Sequence, residues 1–141
     1  MKKILIAVDG SENSKKALLK AKEIAQLKSS DVYILTVIEN LKGNPYTVSQ
    51  DYQNETTKTN IQRGEEILEE AKEIFKDYPG KVEADYRVGD VADKIIEIAE
   101  EKEIDLIVMG RRGLGTLSRA FLGSISNKVL NNVTNSVLIV K

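Results

Sequence analysis

Two short apolar runs constrain the fold of this chain more than any other feature. Residues 4–8 contain no polar side chain and are followed by Asp-Gly-Ser at 9–11, and residues 104–109 form a second strongly apolar run that stops at Gly110. Strands without polar alternation are buried on both faces, as in the centre of a parallel sheet. We therefore predict that these two strands lie side by side at the centre of a sheet.

The rest of the chain alternates between predicted helices and strands. Strands are predicted at 32–38, 82–88 and 136–141, and apolar residues at helical spacing predict helices between successive strands, the longest over 51–77 after a polar loop at 40–50. Apolar and polar residues alternate over 82–88, which predicts that this strand lies near an edge of the sheet. This order predicts an α/β fold: one domain over residues 1–141, with an open five-stranded parallel sheet and helices on both faces.

The composition excludes several kinds of chemistry. The chain has no Cys and no His, which excludes Ser–His–Asp and Cys–His catalysis and zinc sites built on imidazole or thiolate. Any metal must be a hard cation held by oxygen, such as Mg²⁺ beside phosphates. The formal net charge of −1 provides no general attraction for nucleic acid or an anionic membrane. The first apolar run is too short for a signal peptide or a membrane span, so we expect a cytoplasmic protein with neither nucleic acid nor membrane as a partner.

Two loops are candidates for a ligand site, because ligands of open parallel sheets bind beyond the carboxyl ends of the strands. These loops cover residues 9–11 and 110–126. In the second, glycines would let backbone amides approach an anion, a helix begins just after Gly123, and short hydroxyls and arginines add donors and positive charge. These residues are Gly110, Gly113, Gly123, Ser124, Ser126, Arg111, Arg112 and Arg119. The alternative interpretation is that the glycines only form turns and that the arginines are solvated.

The spacing Gly110-x2-Gly113-x9-Gly123-Ser124 resembles the nucleotide-binding signature of the ATP-binding branch of the universal stress protein family. Residues 4–11 resemble that family's first strand and acidic turn, and residues 37–38 the end of its second strand. Residues 88–90 resemble its third-strand turn, and residues 137–140 its last strand. The resemblance covers the whole chain. It implies a Rossmann-like fold of the adenine nucleotide alpha-hydrolase type.

The resemblance also implies a role for each matching residue. Adenine and ribose would lie beside Ala7, Asp9 and Val37, with Asp9 also near any metal. Met109 and Gly110 would line the nucleoside. The phosphates would be held by Gly113, Gly123, Ser124, Ile125 and Ser126, with Arg112 as a physically reasonable further partner. The implied ligand is ATP with Mg²⁺ or Mn²⁺. From the residues alone, Asp9 can equally be a turn or helix cap, and Met109 a core residue.

The last strand, Val137 to Val140, would expose apolar side chains and unpaired backbone at a sheet edge. The resemblance implies that two copies pair these strands about a two-fold axis, which makes a homodimer. The leading functional hypothesis is an ATP-binding regulatory or stress-response protein whose nucleotide state alters contacts with an unknown protein partner. A slow ATPase or nucleotide hydrolase and a non-nucleotide dimerisation module are the alternatives. The chain lacks a Gly-x4-Gly-Lys-Ser/Thr phosphate loop, so we expect turnover to be absent or slow.

Overall fold

The computed structural model describes residues 2–39, 50–111 and 123–141, with the backbone alone for 50–54 and 56. The elements in chain order are β1 (Lys3–Ala7), α1 (Glu12–Lys28), β2 (Asp31–Ile38), α2 (Gln50–Ile74), β3 (Val82–Val88), α3 (Val91–Glu101), β4 (Leu106–Gly110), α4 (Ser124–Asn132) and β5 (Ser136–Val140). The predicted loop at 40–50 lies outside the described residues, apart from the first residue of α2. The predicted site residues Arg112, Gly113 and Arg119 lie outside them as well.

The five strands form one parallel sheet in the order β3-β2-β1-β4-β5. The prediction that the two apolar strands are central neighbours is confirmed, since β1 pairs directly with β4, with Ile4 opposite Leu106 and Ile6 opposite Val108. The strand predicted near an edge, β3, is an edge strand. The winding runs outward from β1 to β3 and then reverses to β4 and β5, so a topological switch point lies between β1 and β4.

Two hydrophobic cores cover the two faces of the sheet, which explains the unbroken apolar run of β1. Ile4 and Ile6 belong to the core beneath α1 and α2. Leu5 belongs to the opposite core, with residues of α3 and with Val129 of α4. Successive side chains of a strand point to opposite faces, so the buried positions 4–6 of this central strand all have to be apolar. The predicted placement of helices on both faces is confirmed.

Helix α2 ends earlier than its sequence pattern predicts. The predicted helix ran to residue 77, whereas α2 ends at Ile74 and the chain continues in tighter turns, in which the Tyr78 amide donates to the Phe75 carbonyl at 3.0 Å. Pro79 cannot continue a helix. The buried Tyr78 side chain turns inward, and its hydroxyl donates to the carbonyl of Ala25 at 3.2 Å. This tertiary contact ends the helix in a way that local periodicity does not reveal.

Among the residues described, none of the helices has the length and apolar character needed to cross a bilayer.

Candidate functional site

A cavity of about 430 Å³ opens at the carboxyl edge of the sheet, at the switch point between β1 and β4. This volume falls within the range of about 300–1,000 Å³ that is typical of small-molecule sites. Nine predicted site residues from separate parts of the chain line this cavity: Ala7, Asp9, Val37, Met109, Gly110, Gly123, Ser124, Ile125 and Ser126. Arg111, which the structure also describes, is not among the lining residues. The structure therefore brings these nine predicted residues together in one place.

The turn after β1 holds Asp9 at the cavity. One carboxylate oxygen, Oδ1, accepts the Ser11 amide at 2.9 Å. The Ser11 hydroxyl caps α1 by accepting the Ser14 amide at 3.2 Å, and Gly10 between them has φ +84°, in the region that favours glycine. Asp9 thus has the turn role given to it by the simpler interpretation of the sequence, and it also lines the cavity.

Helix α4 begins at the opposite wall of the cavity. Its N-cap is Gly123, which has no side chain to satisfy the first amides of the helix. The Gly123 amide donates to the Arg111 carbonyl at 3.0 Å, and the first backbone bond of the helix runs from the Asn127 amide to Gly123 at 3.0 Å. The amides of residues 124–126 precede that bond and have no partner within the helix. With the positive end of the helix dipole, they form an environment suited to an anion.

Two predicted site residues have contacts that the sequence did not predict. A Cβ atom on Gly110 would lie 2.8 Å from the backbone carbon of Asn13, so this glycine is needed for the close approach of α1 to β4. The Ser126 side chain is buried, and its hydroxyl donates to the Gly110 carbonyl at 3.0 Å and lies 3.3 Å from that of Arg111. Its hydrogen is therefore already used within the protein.

Sequence reasoning missed part of the cavity wall. The additional lining residues are Val8, Ser11, Ser14, Leu35, Glu39, Val91 and Ile95. Val91 and Ile95 are four residues apart in α3, hence on one side of that helix, and they add an apolar wall near Val37. The sequence could have indicated that α3 contributes to the site, because this helix follows the end of β3 at the same sheet edge as the two loops. Which side chains of α3 reach the cavity depends on tertiary packing and cannot be read from the sequence.

The charges at the cavity are unevenly distributed. Of the lining residues that the structure describes, the ionisable ones are Asp9 and Glu39, both acidic and at the ends of the adjacent strands β1 and β2. The amides of α4 lie on the other side, beyond β4. A ligand with an anionic end and a hydrogen-bond-donating end would match this arrangement, with its anion at α4 and its donors toward the acidic side.

An ion-pair network joins α4 to α3 beside the cavity. The Lys128 ammonium lies 2.9 Å from Asp93 Oδ1 and 3.3 Å from Asp90 Oδ2. Both bonds raise the pKa of Lys128, and the bond to Asp93 has the larger effect. Asp90 also caps α3, and its pKa is lowered first by the Asp93 amide, which it accepts at 3.0 Å, and then by Lys128. The network therefore connects α4, whose first amides form the environment suited to an anion, with α3, which supplies the apolar wall of Val91 and Ile95.

A second cavity, of about 210 Å³, lies at the amino edge of the sheet. It is half as large, and lysines and acidic residues line it, including an ion pair of 3.0 Å between Lys81 and Glu83. Its volume is below the range that is usual for small-molecule sites. The cavity at the carboxyl edge is therefore the better candidate.

Comparison with known proteins identifies the family. The model of the universal stress protein family matches residues 1–141. The chain belongs to the universal stress protein family. The family member MJ0531 of Methanocaldococcus jannaschii is 35% identical over 114 residues, which cover 79% of this chain and 65% of that protein.

Solved structures agree with this assignment. That of MJ0577, also from Methanocaldococcus jannaschii, has a TM-score of 0.86 and 31% sequence identity, and the match covers 99% of this universal stress protein and 95% of that chain. A universal stress protein solved in complex with cAMP has a TM-score of 0.71 and 28% identity, over 99% of this chain and 97% of that one. The resemblance to the family predicted from the glycine spacing is confirmed.

Proposed function

We propose that this universal stress protein binds ATP in the cavity at the carboxyl edge and acts as a nucleotide-dependent regulator in the cytoplasm. The observation that carries the proposal is the convergence of the turn after β1 and the open start of α4 on one cavity. Its proposed contacts are those predicted from the sequence; of these, Gly113 and Arg112 lie outside the residues that the structure describes. The proposed partner of this regulation is a protein.

The lining of the cavity supports a nucleoside phosphate as the ligand. The adenine would lie against Val37 and the α3 wall, and the phosphates against the amides of residues 124–126. Asp9 would use its second carboxylate oxygen, since Oδ1 is bonded to the Ser11 amide. The related protein solved with cAMP supports an adenine nucleotide as the ligand class.

A divalent cation fits the donors of this site. Within the part of the chain that the structure describes, no three acidic side chains gather into a metal cage. Mg²⁺ does not need such a cage, because it is held by one or two carboxylates together with phosphate oxygens and water. Asp9 is suitably placed to be such a carboxylate, and the bound Mg²⁺ or Mn²⁺ would neutralise phosphate charge near the acidic side of the cavity.

Replacing Gly123 by Val tests the anion site. The backbone of Gly123 has φ −64° and ψ 157°, which Val adopts without strain, so we expect the fold to remain. The added isopropyl group would project beside the amides of α4 and reduce ATP binding below detection in calorimetric titration with Mg²⁺.

The matched control is Thr134→Val, which introduces the same side chain at an exposed position beyond the other end of α4. This variant should bind ATP as the wild type does. A Gly123→Val protein that keeps both its fold and the wild-type affinity would contradict the proposed phosphate site.

A further inference from the structure

Ser126 is the buried polar residue of the first turn of α4, and its hydroxyl is bonded to the protein rather than open to the cavity. Only 3% of the residue is exposed. Its Oγ donates to the Gly110 carbonyl at 3.0 Å, with the Arg111 carbonyl as an alternative acceptor at 3.3 Å. A hydroxyl has one hydrogen to donate. Such a hydroxyl cannot also donate to a phosphate, whereas the Ser126 amide, on the main chain, still can.

The acceptors of this hydroxyl belong to a well-anchored strand end. Gly110 lies opposite Val140 in the sheet, and the Arg111 amide continues the pairing by donating to the Val140 carbonyl at 2.8 Å. Helix α1 also comes close to this strand end, since a Cβ atom at Gly110 would lie 2.8 Å from the backbone carbon of Asn13. The carbonyls to which Ser126 donates are therefore held from two sides.

A second hydrogen bond joins the same two segments. The Gly123 amide donates to the Arg111 carbonyl at 3.0 Å. Helix α4 has nine residues, too few to be stable without tertiary contacts. The two bonds, one from the backbone of the N-cap and one from the Ser126 side chain, fix the direction of its first turn relative to β4.

We infer that Ser126 is a positioning residue: its hydroxyl, bonded to the end of β4, directs the amides of residues 124–126 into the cavity for the phosphates of the nucleotide. This inference rests on the proposed function for the nature of the ligand. In this inference, the Ser126 hydroxyl orients the amides, and the amides themselves contact the phosphate. Loss of the hydroxyl should therefore weaken phosphate binding and leave the adenosine part of the site intact.

The test compares Ser126→Ala and Ser126→Cys with Ser126→Thr. Ala removes the donor, Cys keeps nearly the same volume with only a weak donor, and Thr keeps the hydroxyl. We expect Ala and Cys to lower the affinity for Mg²⁺-ATP about tenfold, the effect of weakening roughly one amide–phosphate hydrogen bond, with adenosine affinity unchanged. Thr should restore ATP affinity. A lower ATP affinity in both Ser126→Ala and Ser126→Cys would assign the effect to the missing hydroxyl rather than to a packing defect.

Amide hydrogen exchange of the nucleotide-free protein separates positioning from direct contact. Ser126→Ala should accelerate exchange in α4, whereas Ser124→Ala, the matched control at an exposed neighbouring position, should leave it unchanged. Wild-type ATP affinity in Ser126→Ala, or a lower affinity with unchanged exchange, would overturn the inference. If the wild type binds no nucleotide, the proposed function fails, and the exchange of the nucleotide-free protein still shows whether the hydroxyl holds α4.

Discussion

Gly110 combines two roles at the level of a single residue, because it ends β4 at the cavity and also allows α1 to approach. A Cβ atom there would lie 2.8 Å from the backbone carbon of Asn13 and 3.0 Å from its oxygen. Backbone cannot move aside as the end of a flexible side chain can. We expect Gly110→Ala to lower the free energy of unfolding by about 1–3 kcal/mol, the usual effect of overpacking, as measured by urea denaturation without nucleotide. Gly123→Ala, at a φ of −64°, should have the smaller effect, and equal effects would contradict this explanation.

The residues of the site differ in how far the sequence predicts them. Asp9 is predictable because it directly follows an apolar run, and Gly123 is predictable because it directly precedes a helical pattern. The contact of Gly110 with Asn13 and the bond from Ser126 to Gly110 are not, because each joins segments that only the folded topology brings together. Both residues therefore have a structural role in addition to the ligand contacts implied by the resemblance.

At the level of elements, α3 and α4 are joined by a charge network whose effect on stability should depend on pH. The pKa of Asp90 is lowered from 3.8 by the Asp93 amide and by Lys128. A carboxylate whose pKa is lower in the folded state stabilises the fold above its unfolded pKa, and this stabilisation is lost as the pH falls through the folded value. Asp90→Asn keeps an N-cap acceptor and removes only the charge.

We therefore expect Asp90→Asn to melt at a lower temperature than the wild type at pH 7, with the difference shrinking as the pH falls below 3.8 and through the lowered pKa of folded Asp90. Thermal unfolding followed by circular dichroism across this range would measure it. The effect should be small, because the network is solvent-exposed. A difference that persists unchanged at low pH would show that the cap geometry, rather than the charge, is responsible.

The elements themselves were largely predictable because periodicity is a local property. The apolar runs of β1 and β4 reflect burial on two faces, and the alternation in β3 reflects its position at an edge. The end of α2 was predicted too late, because the inward turn of Tyr78 depends on carbonyls of α1 and its following turn, far away in sequence.

At the level of the whole molecule, the two edges of the sheet have opposite character. Edge strand β3 has Glu83, Asp85 and Arg87 at alternate positions, with an ion pair of 2.5 Å between the last two. Charges of this kind prevent edge-to-edge pairing. Edge strand β5 ends in four apolar residues that are each only partly buried, Val137 to Val140. Their side chains extend both hydrophobic cores to this edge.

We propose that two copies of the chain pair through β5 in a homodimer, as the family resemblance implies, because a two-fold axis would cover the exposed β5 edge of each copy with one self-complementary contact. We expect Val137→Lys to convert a dimer to a monomer, because a lysine on an edge strand opposes pairing. Light scattering coupled to size-exclusion chromatography would measure the mass. The matched control, Val88→Lys, introduces the same charge at the exposed end of the opposite edge strand, β3, and should remain dimeric. A Val137→Lys protein with an unchanged dimer mass, or a dimer lost only in Val88→Lys, would place the interface elsewhere.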